Sequence, residues 1–461
     1  MNVPWGSGRF ERVLIYGLGL SGRAAARFLL DGGVAVVGVD ARPADQLELG
    51  ELADRLELHA GRVPEALPGG LDGVVVSPGV PMDRPLLQAA RARGLPVIAE
   101  VELAVPFLNG PVVAITGSYG KSTTTALAGA MLAAGGFEVE VCGNIGKPVC
   151  DLLAGPPGRL FVIELSSFQI EGIETFRPRA AALLNLAEDH LDRYADMAAY
   201  GAAKRRLFRD MGAEDVVVLN ADDPPVAATP SAARRRWFSR LDGVTDGCRA
   251  EADGRVVETG PGAAEAPLFT AAEVPLAGVQ NLENAMAAAL LARAIGAEPE
   301  EIRKGLAGFQ GLPHRLQRVG AKGGVTWYDD SKGTNPAATM KSIEGFAAGS
   351  VHLILGGRNK GADLGSLAPL VAEKARRVYL IGEAAEEFER ALGSAAPYER
   401  AETLECAVRS AAQKAAPGEV VVLSPACASF DQFRNYADRG QRYQAFVRAV
   451  LGGPNGEEAR L

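Results

Sequence analysis

Short apolar runs, separated by polar glycine-bearing turns and by stretches of helical spacing, recur from one end of the chain to the other. Arg12–Tyr16, Val34–Val39 and Gly73–Ser77 read as strands, and Ser21–Asp31 as a helix between the first two. Glu100–Leu108 reads as a linking helix and Asn109-Gly-Pro111 as a break. A second series opens at Val112–Ile115 and runs through Leu160–Glu164, Ala180–Leu186 and Val216–Asn220, each a short apolar run with a polar end. From about Ser239 to Pro275 the pattern weakens into strand-like pieces rich in turn residues, and Gln280–Ile295 is then an alanine-dense helix. A third series starts near Leu312, with strands at Thr326–Asp329, Ser350–Leu355, Val378–Ile381 and Val420–Leu423. Strands alternating with helices imply parallel sheets joined by helical crossovers. The expectation is an α/β chain of three domains, 1–99, 100–311 and 312–461, with no internal repeat.

Composition narrows the function classes. The chain has 461 residues, 48% hydrophobic and 23% charged, with a formal charge of −8. That balance argues against a nucleic-acid surface, which needs a clustered basic face. The basic run Arg234-Arg-Arg236 is short and reads as an ion-paired or solvated turn. Five cysteines, at 142, 150, 248, 406 and 427, form no C-x-x-C pair, so reduced thiols and no zinc site are expected. The first ten residues hold no signal-peptide core and no apolar run reaches membrane-spanning length, which predicts a cytoplasmic protein.

The most informative string is Ala114-Ile-Thr-Gly-Ser-Tyr-Gly-Lys-Ser-Thr123. A buried strand ends in two glycines, and Lys121 and Ser122 then open an Ala/Leu-rich helix. Backbone N–H groups turned inward there, with the helix N-terminus, make a cradle for phosphate. Lys121 would reach the β/γ-phosphates and the Ser122 hydroxyl a Mg²⁺ ion. Gly117 and Gly120 enclose two residues where the standard P-loop has four. Its place between strand and helix still points to a nucleoside triphosphate.

Gly17-Leu-Gly-Leu-Ser-Gly22 follows the first strand, and Asp40 ends the next, 18 residues after Gly22. This is the dinucleotide fingerprint in its proper context. Alone it favours NAD, although the same geometry cradles any diphosphate, including that of a nucleotide sugar. Ser77-Pro-Gly79 could border that site or be a plain turn. Glu164, at a strand end beside the phosphate-loop strand, sits where nucleotide hydrolases place a Mg²⁺ ligand; the plainer alternative is a helix N-terminal acid. His190, within Glu188-Asp-His-Leu-Asp-Arg-Tyr194, is a candidate metal ligand or a hydrogen-bonded surface residue. Lys204 reads as an ordinary exposed helical lysine. Asn281 and Asn284 can cap the alanine-rich helix or contact an adenine. In the third series, polar residues gather after a glycine turn at Leu312–Leu316 and at three strand ends, Asp329–Pro336, Leu355–Asp363 and Leu423–Asp431, as in a ligand crevice.

Taken together, these strings resemble the Mur ligases, the ATP-dependent amide-forming enzymes of bacterial peptidoglycan assembly. The likeness runs from Gly17 to Arg439 in the family's order. It rests on the G-x-G-L-x-G start, Ser77-Pro-Gly79, Gly143-Asn-Ile-Gly146, Glu164-Leu-Ser-Ser-Phe-Gln169, Asp189-His-x-Asp-Arg-Tyr194, Asp330-Ser-Lys-x-Thr-Asn335 and Ser424-Pro-Ala-Cys-Ala-Ser429. The pattern is nearest that of the members adding D-glutamate. The Asp-Asn-Pro-Arg motif of members adding diaminopimelate or lysine is not found. Another Mur-type or folylpolyglutamate-type ligase is the alternative. A nucleotide switch, suggested by Asn359-Lys-Gly-Ala-Asp363, places its Asp one residue late, and a dehydrogenase leaves the phosphate loop and the third domain unemployed.

The resemblance implies a Rossmann-like first domain, a central P-loop ATPase-like domain with a parallel sheet, and a Rossmann-like third domain. It implies an amide bond made between UDP-N-acetylmuramoyl-L-alanine and D-glutamate by a monomer using ATP and two Mg²⁺ ions. By position it assigns Leu20, Ser21, Ala41, Arg42, Ser77, Pro78, Gly79 and Asn144 to the UDP substrate. Gly117, Ser118, Tyr119, Gly120, Lys121, Ser122, Thr123, Asn284, Arg315 and Asp330 fall to ATP. Lys360, Thr334, Ser429 and Tyr436 fall to D-glutamate, and Ser122, Glu164 and His190 to metal. Lys204 matches the lysine that relatives carry as a carbamate, a modification that turns a cation into an anionic metal ligand; with Lys121, Glu164 and His190 it completes the implied catalytic set. Three residues depart from the family pattern: Tyr119 where Asn is usual, Gln280 where His is usual, and Tyr436 where Phe is frequent. None removes a group the chemistry requires.

Overall fold

The structure, a computed structural model, describes residues 1–452 except 7, 190–192, 242, 262–264, 277–278 and 310. The chain divides into two compact units, Met1–Phe309 and Gln310–Leu461. The first unit carries two sheets. One has strands β1 (Arg12–Tyr16), β2 (Ala35–Asp40), β3 (Glu57–Ala60), β4 (Gly73–Val76) and β5 (Val97–Ala99), all parallel, in the order β3-β2-β1-β4-β5. This is the doubly wound arrangement, whose order reverses at β1 and opens a crevice at the strands' carboxyl ends.

The other sheet has β6 (Val112–Thr116), β7 (Val139–Gly143), β8 (Leu160–Glu164), β9 (Ala180–Leu183), β10 (Val216–Asn220), β11 (Arg234–Ser239), β12 (Gly247–Ala250), β13 (Arg255–Thr259) and β14 (Ala266–Thr270). Their order is β14-β13-β12-β11-β10-β9-β6-β8-β7. Pairing is parallel from β7 to β12, and β13 and β14 then extend the edge antiparallel. The phosphate-loop strand β6 lies inside the sheet, between β9 and β8, with all five of its residues buried. Helix Val279–Ile295 packs on this sheet and on helix Lys121–Ala134, with Ala285–Ala292 fully buried. A helix apolar all round belongs in a core, and its alanines let it approach its neighbours closely.

Helix Glu100–Ala104 links the two sheets. It stops short of the expected Leu108, and a 3₁₀ turn over Val105–Phe107 with Pro106 at its second position completes the link. Two of its acids are buried. Glu102 accepts from Trp5 Nε1 (3.0 Å), the Thr175 N–H (2.6 Å) and hydroxyl (2.7 Å), and the Phe176 N–H (3.2 Å), tying the N-terminal arm to the second sheet's loops. Glu100 accepts the Cys150 N–H at 2.7 Å through Oε1, while its buried Oε2 has no hydrogen-bond partner. Burial pushes the Glu100 carboxyl up to about 7. Its folded pKa lies above the unfolded one, so it holds its proton more tightly when folded. Its contribution to stability is complete below about pH 4.5 and is lost as pH rises towards 7. Glu100→Gln, which mimics the protonated form, should flatten the pH dependence of thermal unfolding of this unit between pH 5 and 8. The gain at the alkaline end is expected to be at most about 3 kcal/mol.

The second unit has β15 (Gln317–Lys322), β16 (Val325–Asp329), β17 (Val351–Gly356), β18 (Ala375–Ile381), β19 (Tyr398–Glu402) and β20 (Val420–Leu423), in the order β15-β16-β20-β17-β18-β19. All pairs are parallel except the β15–β16 hairpin. The adjacent carboxyl ends of β16, β20 and β17 lead into three of the four polar segments marked in the sequence, Asp329–Pro336, Leu423–Asp431 and Leu355–Asp363. No described helix is long and apolar enough to cross a membrane.

Candidate active site

At the carboxyl end of β6 the chain turns through Gly117–Gly120 into helix Lys121–Ala134, whose first turn carries no acidic side chain and whose N-cap makes no side-chain hydrogen bond. Gly120 is at φ +80°, and a Cβ there would stand 2.2 Å from Asn284 Oδ1. Glycine is thus required both by backbone conformation and by the close approach of the alanine-rich helix. Asn284 also accepts from Thr124 Oγ1 (3.2 Å) and donates to Asn281 Oδ1 (3.2 Å), so it supports the loop from below.

A second chain segment braces the loop. Asn185, just beyond β9, accepts the Tyr119 N–H through Oδ1 (2.8 Å) and donates from Nδ2 to the Tyr119 carbonyl (3.1 Å), while its own carbonyl accepts the Ser118 N–H (3.1 Å). Ser118 Oγ donates to the Ala187 carbonyl (3.1 Å) and lies 3.2 Å from the Tyr200 hydroxyl. The Tyr119 ring is half exposed and its hydroxyl donates only a long 3.5 Å bond to the Glu188 carbonyl, so the loop's shape depends mainly on that residue's backbone. Tyr119→Asn should therefore leave the KM for ATP within about threefold in steady-state assays, since exposed substitutions away from strained or bonded groups are nearly neutral.

Two lysines converge on this loop. Lys121 Nζ donates to the carbonyls of Gly117 (2.9 Å) and Ser118 (2.8 Å), and Lys204 Nζ donates to the same Gly117 carbonyl (2.9 Å). Lys204 is 1% exposed and lies 4.6 Å over the Tyr200 ring, contrary to the exposed helical lysine read from sequence. Helical spacing gives no sign of that burial. Burial, and then the nearby Lys121 charge, lower the Lys204 amine to about 7, against the opposing pull of Asp189 and Glu164.

Glu164 closes β8 next to β6 and is 1% exposed. Its Oε1 accepts from Asn144 Nδ2 at 2.7 Å, and its buried Oε2 makes no hydrogen bond. A buried carboxylate oxygen without a partner is costly unless a cation takes it, so the residue fits a metal ligand beside the phosphate loop. His190, the other imidazole or carboxylate expected to bind metal, lies outside the described residues, and no group of three or more metal-ligating His, Cys, Asp or Glu occurs among those described. Ser122 is buried at the first turn of the helix.

The first sheet builds a second cradle. A Cβ on Gly22 would stand 1.9 Å from the Gly17 carbonyl oxygen, so helix Leu20–Asp31 packs hard against the end of β1. Asp40, at the end of β2, accepts the Leu18 N–H (2.8 Å), the Arg42 N–H (2.9 Å) and both ends of the Arg42 guanidinium. Burial raises its carboxyl, but those hydrogen bonds and the Arg42 charge outweigh it and hold it at about 2. Asp40 is thereby committed to fixing Arg42 and the glycine turn. Ser77 donates to the Gly17 carbonyl (2.6 Å), bringing Ser77-Pro-Gly79 against the same turn. Leu20, Ser21, Ala41 and Arg42 ring this end of the sheet. Asn144 instead sits at the Glu164 carboxylate.

In the second unit Asp330 is buried and accepts from Ser342 Oγ (2.6 Å), Ser424 Oγ (2.6 Å) and the Leu316 N–H (3.2 Å). Burial pushes its carboxyl up to about 6 against those bonds. Ser331 Oγ donates to the Tyr436 carbonyl (2.8 Å), and the fully buried Arg439 donates to the Ser331 hydroxyl and to the carbonyls of Ser331 and Cys427. Arg439 thus pins the loops carrying Thr334, Ser429 and Tyr436. The Lys360 ammonium stands 5.4 Å from the Phe430 ring, and Arg315 adjoins His314, which pairs with Asp329 at 2.7 Å. Asn185, Tyr200, Arg193 and Arg439 were not singled out by the sequence. Each acts through contacts with residues remote along the chain, and only the rarity of the Asp189–Tyr194 motif that contains Arg193 hints at any of them.

Three family models match the chain: the MurD-like N-terminal domain of Mur ligases over residues 11–99, the Mur ligase middle domain over 115–292, and the Mur ligase glutamate ligase domain over 314–427. The chain is 44% identical to the UDP-N-acetylmuramoylalanine–D-glutamate ligase of Acidobacterium capsulatum, covering 96% of this chain and 97% of that one. It is also 44% identical to the ligase of the same name from Geotalea daltonii, at 96% and 98% coverage. Among solved structures, the UDP-N-acetylmuramate-alanine ligase of Thermotoga maritima matches with a TM-score of 0.58 at 18% identity, over 95% of this chain and 99% of that one. MurF ligase of Thermotoga maritima, solved in complex with ADP, matches with a TM-score of 0.57 at 17% identity, over 90% and 95%. These two share the fold. With its three sheets, its short phosphate loop and 44% identity to named relatives over 96% of its length, the chain belongs to the Mur ligase family.

Proposed function

We propose that this chain is an ATP-dependent, ADP-forming ligase that joins UDP-N-acetylmuramoyl-L-alanine to D-glutamate in peptidoglycan precursor synthesis. The observation that carries the reading is the short phosphate loop, with Lys121 on its carbonyls and the buried Glu164 beside it, in a chain 44% identical to ligases of that name. The domains are assigned as 1–99 for the UDP substrate, 100–311 for ATP, and 312–461 for D-glutamate and part of the nucleotide. The protein acts as a cytoplasmic monomer on small molecules, with no nucleic-acid partner.

A carboxylate does not condense with an amine at neutral pH because oxide is too poor a leaving group. An oxygen of the L-alanyl carboxylate attacks the γ-phosphorus of ATP, giving an acyl phosphate and ADP. The D-glutamate amine, having shed its proton, attacks the acyl carbon. The tetrahedral intermediate passes the second nitrogen proton to the departing phosphate, the bond between the acyl carbon and the phosphoryl oxygen breaks, and phosphate leaves. The Gly117–Gly120 backbone and the helix N-terminus bind the phosphates, and Lys121 follows the charge that collects on the transferring group. Mg²⁺, as two ions held by Ser122, Glu164, His190 and a carbamate on Lys204, would neutralise the phosphoryl oxygens. Asn284, Arg315 and Asp330 hold the nucleotide, and Lys360, Thr334, Ser429 and Tyr436 hold D-glutamate.

The test offers the protein ATP, Mg²⁺ and UDP-N-acetylmuramoyl-L-alanine with D-glutamate, L-glutamate or L-alanine. Phosphate release is expected with D-glutamate alone, and release indifferent to the amino acid would overturn the assignment.

A further inference from the structure

The motif Asp189-His-x-Asp-Arg-Tyr194 ends in two residues for which the reaction above has no use. Arg193 reaches from the loop after β9 to the first sheet. It donates from Nη1 to the Pro78 carbonyl (3.1 Å) and from Nη2 to the Val80 carbonyl (3.4 Å) and Glu171 Oε2 (2.5 Å). Its guanidinium lies 4.1 Å over the Phe168 ring, and its side chain is 14% exposed. The other Glu171 oxygen accepts the Tyr194 hydroxyl at 2.5 Å, and the Tyr194 ring adjoins both Phe168 and Tyr200. A planar fork held flat on an aromatic face and fixed by a carboxylate has little freedom left.

We propose that Arg193 is a positioning residue for the UDP-sugar substrate: from the central domain it clamps the Pro78 and Val80 carbonyls and so aims the Gly79 amide outward as a donor. In a trans peptide the C=O and N–H point in opposite directions, so a Pro78 carbonyl turned to Arg193 turns the Gly79 N–H away from it. That N–H makes no hydrogen bond among the described residues, and Gly79 is exposed. Ser77 anchors the same turn from the other side through its bond to the Gly17 carbonyl, within the glycine turn. The turn is thus held at both ends with one free donor between them, suited to a phosphate or sugar oxygen. The substrate half of this inference rests on the proposed function; the clamp itself rests on geometry alone.

Two readouts separate them. Hydrogen exchange of the protein without added substrate should show the Val80 N–H, which donates to the Ser77 carbonyl at 3.0 Å, exchanging at least about tenfold faster in Arg193→Ala, with the unbonded Gly79 N–H fast in both proteins and helix Lys121–Ala134 unchanged. In turnover, Arg193→Ala should raise the KM for UDP-N-acetylmuramoyl-L-alanine about tenfold, leave kcat within about threefold and the KM for ATP within about twofold. Arg193→Lys, which keeps the charge and loses the fork, should fall between, and millimolar guanidinium should partly restore the alanine variant. Unchanged exchange at Val80 would overturn the clamp. Faster exchange with an unchanged substrate KM would overturn the substrate role, as would a uniform loss in kcat, both KM values and thermal stability. A wild-type protein that ignores the UDP substrate would instead defeat the proposed function, and the exchange result would still decide the clamp.

Discussion

Lys121→Ala should lower kcat by about 10³-fold, some 4 kcal/mol of transition-state stabilisation, while changing the melting temperature little. The Lys121 ammonium donates to two carbonyls of its own short loop, at 2.9 and 2.8 Å, and so rests at the mouth of a helix N-terminus that carries no acidic side chain. An incoming triphosphate offers anionic oxygens, better acceptors than amide carbonyls, and the flexible side chain follows them. The interaction strengthens as charge gathers on the transferring phosphoryl group, so the loss belongs in kcat more than in KM. The fold does not need the ammonium: the neighbouring helix bond, Thr125 Oγ1 to the Lys121 carbonyl at 2.7 Å, is to backbone. Lys121→Arg should not recover activity, because a planar fork cannot take the place of a compact ammonium in a four-residue turn. Phosphate-release kinetics beside a thermal melt give the answer, and a Lys121→Ala enzyme within tenfold of wild type would count against the loop as the phosphate site.

The second large effect concerns Lys204. Its amine is buried, shares the Gly117 carbonyl with Lys121, and is lowered to about 7 by burial and by that neighbouring cation. A substantial share of it is therefore neutral at pH 7, against roughly four parts in ten thousand for an ordinary lysine. The neutral nitrogen can attack the carbon of CO₂ and release one proton, leaving a carbamate anion. The change suits the site, since two ammonium groups on one carbonyl repel and an anion beside Lys121 and a bound cation does not. Lys204→Ala is expected to lose about 10²- to 10³-fold in kcat and to regain part of it with formate or acetate. Wild-type enzyme held in CO₂-depleted buffer near pH 6, where the amine is mostly protonated, should lose activity and recover it on addition of bicarbonate at pH 8. An alanine variant with full activity and no response to carboxylates would remove the carbamate from the mechanism.

Much of the scaffold was legible because its signals are local. An apolar run meeting a glycine turn and then a helix predicts β6 and its loop, and the same logic holds at β1 and β16. What escaped detection was short or depended on distant contacts. β5 has only three residues, and β13 and β14, read only as strand-like pieces without bounds, lie in a stretch with little alternation, where pairing rather than propensity makes the strands. Asn185 braces the phosphate loop across 66 residues of sequence, and Arg193 reaches Pro78 across 115. Lys204 looked ordinary because a helix position says nothing of what lies over it. Glu164, by contrast, is legible as a strand-end acid because β8 is a plain apolar run, and its unbonded oxygen adds a physical reason for a cation there.

The central claim, transfer of phosphate to a substrate carboxylate, has a direct isotopic test. UDP-N-acetylmuramoyl-L-alanine labelled with ¹⁸O in both alanyl carboxylate oxygens is turned over with ATP and D-glutamate, and the released phosphate is analysed by mass spectrometry. Acyl-phosphate chemistry breaks the C–O bond after phosphorus has bound that oxygen, so each phosphate should carry one ¹⁸O atom. Phosphate released at the same rate without label would mean that water, and not the substrate carboxylate, receives the phosphoryl group.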